Sequence, residues 1–273
     1  MTQEREQGLA GRWALILGAS SGFGAAAARA LAQAGMNIFG VHLDPRRTLH
    51  RAQQVIADVE AAGGRAVFFN TNAADARRRA RVIASISEVL ADDPFGSIHL
   101  MVHTLAFGSL RQYVPENPEE AVTESQMEMT LRVMAHSLVY WAQDLVQADL
   151  LQRGSRVYAM TSIGSQRASS HYGPVSAAKA ALEAHARQLA VELAPRGILV
   201  NCLMPGVTDT PALRAIPGHE QIIAHAQRYH PAGRLTTPED VAQTLVVLAD
   251  PRLTWISGAV IPVDGSEAVV APG

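Results

Sequence analysis

Residues 12–35 read RWALILGASSGFGAAAARALAQAG, a strand running into a helix through a turn of glycines and serines. Arg12–Leu17 is a short apolar run ending at a glycine, as a buried strand does. The alanine-rich run after Gly24 is a strong helix former, and Gly35 stands where a helix closes on a left-handed residue. Between them lie Gly18, Ser20, Ser21, Gly22, Phe23 and Gly24. Small residues let the backbone approach a pyrophosphate, and the helix N-terminus behind them offers free N–H groups and positive potential. These six residues are the expected phosphate cradle of a dinucleotide, spaced GxxxGxG rather than GxGxxG.

The pattern repeats outward from this unit. Asn37–Leu43 reads as a second strand, Arg65–Asn70 as a third, Ile98–His103 as a fourth, Arg156–Met160 as a fifth, Ile198–Leu203 as a sixth and Ala259–Val263 as a seventh. Helical periodicity fills the intervals, including a long segment over residues 119–151 and a helix from Pro174 to Ala194. Strands alternating with helices predict a single-domain α/β fold over residues 1–273: a Rossmann-type, doubly wound parallel sheet of seven strands flanked by helices. Asp209–Pro231 reads as irregular, and such an excursion after a sheet strand is the expected substrate lid.

Asp44 follows the second strand, twenty residues beyond Gly24, where an acid bonds the adenosine ribose hydroxyls. An anion there repels a 2′-phosphate and favours NAD(H) over NADP(H), while the neighbouring Arg46 and Arg47 pull the other way. Asn72 and Ala73, after the third strand, are placed to meet the adenine, though Asn72 could equally cap the arginine-rich helix that follows. That helix's arginines are expected to form a solvated face.

Composition closes off several classes. Hydrophobic residues make up 48% of the 273-residue chain, as in a globular domain. A net charge of −2 carries no electrostatic footprint for nucleic acid. Cys202 is the one cysteine, so no disulfide framework is expected, and a buried strand position makes it a poor nucleophile. The N-terminal MTQEREQGLAGR lacks an apolar run, and no stretch approaches the ~20 apolar residues of a membrane span. A soluble, cytoplasmic protein is expected. The ten histidines are read as offering no HxxxH or HExxH pair on a helix, and no metal site is expected.

Thr161–Lys179, TSIGSQRASSHYGPVSAAK, carries the candidate chemistry. Ser162, Tyr172 and Lys179 place a hydroxyl, a phenol and an ammonium within reach of one developing oxyanion. The Lys179 charge is expected to lower the phenol's pKa from its usual ~10. Pro174 suits a first helical turn, so Tyr172 should stand just before the helix.

Together these residues resemble the short-chain dehydrogenase/reductase family over essentially the whole chain. The resemblance rests on the glycine turn, the Ser162/Tyr172/Lys179 set, Asn201-Cys-Leu-Met-Pro205-Gly206 with Thr210, and Val263-Asp264-Gly265. It implies a nicotinamide cofactor, contacts to it from Lys179 and from Pro205, Gly206, Val207 and Thr210, and a homotetramer. The usual family spacing is Tyr-x3-Lys, which falls on Val175; here it is Tyr172-x6-Lys179. The family's helix asparagine falls on Met134, and its NNAG motif is replaced by His103-Thr-Leu-Ala106. Tyr-x6-Lys resembles the enoyl-acyl carrier protein reductases of the family. That subgroup implies NAD(P)H-dependent reduction of a trans-2-enoyl thioester, on acyl carrier protein or coenzyme A, in fatty acid synthesis. A related variant commonly uses NADPH, but its two arginines fall on Ser21 and Asp44. Two other readings stay open: an alcohol dehydrogenase or 3-ketoacyl reductase, and a non-catalytic dinucleotide sensor.

Overall fold

The computed structural model describes residues 8–270. Seven parallel strands form one sheet in the order β3-β2-β1-β4-β5-β6-β7. They are β1 Trp13–Leu17, β2 Asn37–His42, β3 Ala66–Asn70, β4 Ile98–His103, β5 Arg156–Met160, β6 Leu199–Pro205 and β7 Val260–Val263. The expected strands are all present, with ends moved by up to two residues. The largest change is at β6, which continues to Pro205 because it pairs with β7 through Pro205 opposite Val263.

Alternation along β1 divides the core into two layers. Trp13, Leu15 and Leu17 face helices α3 (Ala76–Leu90), α5 (Ser137–Gln147) and α6 (Gly173–Leu193), packing with Ile86, Leu138, Trp141 and Leu182. Ala14 and Ile16 face α1 (Gly22–Gln33) and α2 (Leu49–Ala61) and the last long helix, Pro238–Leu248, packing with Leu31, Val55 and Leu245. The alanines of α1 have a packing role as well as a helical one: Ala26 and Ala30 lie directly against Ala242. Each large side chain buried this way contributes about 1.5–3 kcal/mol.

The long helical segment is interrupted. A 3₁₀ turn spans Pro118–Glu120, α4 spans Glu124–Leu131, and a π-helical stretch, Arg132–His136, joins α4 to α5. A capping box between Thr123 and Gln126 sets the start of α4. The segment Asp209–Pro231, expected to be irregular, instead holds α7 (Pro211–Arg214) and α8 (His219–Tyr229). Thr210 caps α7 through its side chain, and Gly218, at φ +77°, makes the left-handed turn into α8. With these, the Pro238–Leu248 helix is α9. Among the described residues no helix is long and apolar enough to cross a membrane.

The strand order reverses between β1 and β4, the place where open α/β sheets bind ligands at their carboxyl ends. Thr104 stitches that crevice, its Oγ1 donating to the Leu17 carbonyl at 2.8 Å.

Candidate active site

The glycine turn is built by close contact. Gly18 has φ +97°, and a Cβ on Gly24 would lie 2.1 Å from the Gly18 oxygen. Only glycine fits at either position. Ser21 is the N-cap of α1 but makes no side-chain cap bond, so the first N–H groups of α1 keep no partner from it. A Cβ on Gly22 would reach only the Thr210 methyl at 3.7 Å, which places Thr210 over the turn. A cleft of about 520 Å³ opens here, walled by Ser20, Ser21, Gly22, Arg29, Arg51 and Thr210. Backbone N–H groups, hydroxyls and guanidiniums are donors suited to a pyrophosphate, so the residues fit the expected dinucleotide. The Phe23 side chain packs into the core beside α1, leaving only its backbone at the turn.

Asp44 lies at one end of this turn. Burial alone would raise its carboxyl pKa, but hydrogen bonds from Ser20, Thr48 and His42 outweigh it and hold it below the usual carboxylate value. His42 Nδ1 stands 2.9 Å from its Oδ2, and Asn70 clasps the Asp44 backbone from both sides. The result is a fixed anion next to Ser20, while Arg46 and Arg47 are exposed. Asn72 does not cap α3. Its Oδ1 accepts from the Ala74 N–H, and Asp75 is the cap, because Asp75 rather than Asn72 lies three residues before the Arg78 N–H. The Ala73 carbonyl accepts from Trp141 Nε1 at 2.9 Å. Of the α3 arginines, Arg79 departs from the solvated face, being buried and paired with Asp144 at 2.6 Å.

Ser162, Tyr172 and Lys179 converge at the carboxyl end of β5. Ser162 caps the short turn after that strand, and its Oγ lies 3.4 Å from the Tyr172 hydroxyl. Tyr172 is the N-cap of α6, and its ring lies so close to Gly164 that a Cβ there would come within 2.4 Å of it. Lys179 is buried, and its Nζ donates to the Met160 carbonyl at 2.6 Å. Burial brings the Lys179 pKa down to about 8. Burial also raises the Tyr172 pKa above its usual value, countered in part by the Ser162 hydrogen bond. The expected lowering of the phenol pKa by Lys179 is therefore overturned: the ammonium is turned to a backbone carbonyl, and desolvation of the ring dominates.

Val175, where a Tyr-x3-Lys spacing would put the phenol, is buried with Met134 and Ala178, and Leu110 and Tyr172 pack against them. Pro205 ends β6, and the Gly206 N–H donates to Val263 at 3.2 Å. The Val207 N–H is engaged by Glu267 Oε2 at 2.8 Å. Two buried polar groups escaped the sequence reading. His103 stands at an HxxxH interval from His99, but on a strand, where four residues span about 13 Å. His103 Nε2 meets Ser137 Oγ at 2.7 Å, and burial brings its pKa down to about 3. Glu183, one turn beyond Lys179, accepts from Thr161 Oγ1 at 2.6 Å. A carboxylate four residues past a buried lysine on an otherwise apolar helix face was the available signal. Among the described residues no cluster of His, Cys, Asp and Glu could hold a metal ion.

A family model described as enoyl-(acyl carrier protein) reductase matches residues 18–265. The chain belongs to the short-chain dehydrogenase/reductase family. A 1-cyclohexenylcarbonyl-CoA reductase of Streptomyces collinus is 31% identical, across 94% of this chain and 87% of its own. A 4-formylbenzenesulfonate dehydrogenase of Comamonas testosteroni is also 31% identical, across 94% and 97%. Among solved structures, the NADH-dependent enoyl-[acyl-carrier-protein] reductase of Aquifex aeolicus shares the fold with a TM-score of 0.82, at 21% identity over 97% of this chain and 99% of its own.

As a short-chain dehydrogenase/reductase, the protein is an NAD(P)(H)-dependent oxidoreductase. Its relatives include, by name, a 1-cyclohexenylcarbonyl-CoA reductase and a 4-formylbenzenesulfonate dehydrogenase, so family membership alone does not choose the substrate. What this member presents is a neutral phenol beside a serine hydroxyl, with a buried ammonium behind them. A phenol and a hydroxyl paired in this way are chemically able to donate hydrogen bonds to a developing oxyanion.

Proposed function

We propose that the protein reduces trans-2-enoyl thioesters to saturated acyl thioesters, with NADH preferred over NADPH. The observation that carries this reading is the exchange at the start of α6. The phenol that meets Ser162 belongs to Tyr172, while the Tyr-x3-Lys position is Val175, sealed against Met134. The glycine turn, Asp44 and Lys179 would hold a reduced nicotinamide cofactor, which when bound supplies a hydride for the substrate β-carbon. Tyr172 donates a hydrogen bond to the thioester oxygen and stabilises the enolate charge. Ser162 orients Tyr172 and the substrate oxygen. Lys179 binds the cofactor's ribose hydroxyls and adds positive potential to the site. Residues 209–231, with α7 and α8, close over the acyl chain. The Streptomyces collinus relative, a reductase by name of a 1-cyclohexenylcarbonyl-CoA, supports an enoyl thioester as substrate class. The Asp44 anion supports NADH, since a 2′-phosphate would be repelled there.

The test is oxidation of NADH and NADPH with a short trans-2-enoyl thioester and the matching 3-ketoacyl thioester, each as coenzyme A and carrier-protein conjugates. Turnover of the enoyl substrate alone supports the proposal. Turnover of the ketoacyl substrate alone means that the Tyr172 position does not dictate the reaction. Tight cofactor binding without turnover of either would make the protein a dinucleotide sensor.

A further inference from the structure

The cluster behind Lys179 contains a carboxylate that the reaction above does not use. Glu183 is buried on α6, four residues past Lys179. Its Oε1 takes a 2.6 Å hydrogen bond from Thr161, the residue between Met160, whose carbonyl seats Lys179, and Ser162, which meets Tyr172. A neutral amide could accept that bond equally well. Burying a charge is costly unless something compensates it. The groups around Lys179 show what does. From β6 comes Cys202, whose thiol is pushed up to about 12 by burial and so stays neutral. From β4 comes His103, kept neutral by burial. From α6 comes Glu183, which favours the charged lysine. Glu183 is the carboxyl group of this cluster, one helical turn from Lys179.

We propose that Glu183 is a positioning residue, whose buried negative charge keeps the Lys179 ammonium charged on the Met160 carbonyl while its bond to Thr161 fixes the strand end that carries Ser162. This rests on the reading of Lys179 as a cofactor-binding group. It does not depend on whether the substrate is an enoyl or a ketoacyl thioester. Desolvation drives Lys179 toward the neutral amine, its pKa coming down to about 8. Removing an opposing charge one helical turn away lowers a lysine pKa further. The ammonium is then lost at a lower pH, and the ribose-binding donor weakens with it.

The experiment is fluorescence titration of NADH binding to the purified protein from about pH 6 to about pH 10, which needs no substrate. Wild type should lose affinity as the pH rises through a midpoint near that of Lys179. Glu183→Gln, which keeps the acceptor for Thr161 but removes the charge, should move this midpoint down by about one pH unit. Thr161→Val, which removes the bond but keeps the charge, should leave the midpoint within about 0.3 unit of wild type, well below that charge effect. Glu183→Asp, which keeps the charge, should bring the midpoint most of the way back to that of wild type. The paired Thr161→Val/Glu183→Met variant removes both ends of the bond, leaves no unpaired polar group, and serves where Glu183→Gln does not fold. It too should bind with the lowered midpoint. An unmoved midpoint in Glu183→Gln or in the paired variant would overturn the proposal. So would an equal shift in Thr161→Val, which would make the bond and not the charge responsible. A failed enoyl assay with a shifted NADH midpoint would sink the substrate reading and leave this one standing.

Discussion

Tyr172→Phe separates chemistry from folding more cleanly than any other single change in the site. It removes one hydroxyl and keeps the ring that packs against Gly164 and the Met134–Val175 cluster. Among the described residues the hydrogen bond lost is the 3.4 Å contact with Ser162 Oγ, at the long end of the useful range. Loss of so weak a bond should cost at most about 1 kcal/mol of stability, since even a good one is worth that. The catalytic loss should be larger. One donor to a developing oxyanion is typically worth about 10²–10³ in turnover, or about 2.7–4 kcal/mol. The interaction strengthens only as charge develops, so kcat and kcat/KM should fall together. NADH affinity should not change, because Tyr172 holds no part of the glycine turn. The assay is steady-state turnover on the enoyl thioester, alongside thermal unfolding and NADH titration of the same sample. A variant with an unaltered melting temperature and turnover within about threefold of wild type, far less than one oxyanion donor supplies, would remove Tyr172 from the mechanism.

Asp44→Ala should raise the kcat/KM ratio of NADPH to NADH at least about tenfold, the weight of 1.4 kcal/mol of relieved anion repulsion, with Arg46 and Arg47 left to meet the 2′-phosphate. Gly24→Ala should abolish cofactor binding or folding, because its Cβ would lie 2.1 Å from the Gly18 oxygen; a variant that binds NADH normally would show that the turn is looser than described. His103 makes the fold acid-sensitive. Its pKa is about 3 in the folded chain against 6.5 for an ordinary histidine, so the unfolded chain takes up a proton that the folded chain refuses. Stability is fully present above that ordinary value and should fall by about 1.4 kcal/mol per pH unit below it. His99, brought down to about 4 by burial, adds to the slope. Denaturant titrations from about pH 6.5 down to about pH 4.5 should show a shallower slope in His103→Gln than in wild type; equal slopes would mean that His103 is not the acid-sensitive group.

The sheet was legible because its signals are local. Each strand is an apolar run, each crossover a periodic stretch, and the glycine turn carries a steric requirement that names its residues. Thr123 and Gln126 also advertised the start of α4, yet the long helix was read as unbroken, since a π-helical stretch changes hydrogen-bond register without any glycine or proline to mark it. The helices of residues 211–229 were hidden for the opposite reason: prolines and glycine around them read as breakers but act as caps. The acidity of Tyr172 was misread because it depends on which way Lys179 points and how much of the ring is wet. Both are properties of the packed cluster, not of the spacing. Glu183 lay in plain sight as an acid one turn past the lysine. Its meaning came only with Thr161, brought to it from β5 across twenty-two positions of sequence.

The place and the acidity of the phenol point the same way. Lys179 is fixed to the end of β5 by the Met160 carbonyl, so in the proposed reading its place beside a bound cofactor would be set by β5 and α6. Three residues of helix amount to about 4.5 Å of rise, which sets only a scale for the shift from Val175 to Tyr172, since Tyr172 is the N-cap and not within the helix. In ketone reduction hydride goes to the carbon that bears the oxygen, and the alkoxide must be given a proton. In enoyl reduction hydride goes to the β-carbon, three bonds from the thioester oxygen, and the proton ends on the α-carbon. The second reaction asks for an oxyanion donor placed further out, with no need to surrender its proton. Tyr172 stands three residues before the usual position, and burial raises its pKa, so it remains a protonated donor through neutral pH. A tyrosine at position 175 would sit in the wall now formed by Met134, Ala178 and Leu110. The spacing is the feature that separates the two reactions, and it is the one on which the proposed enoyl reduction rests; the raised pKa is compatible with it.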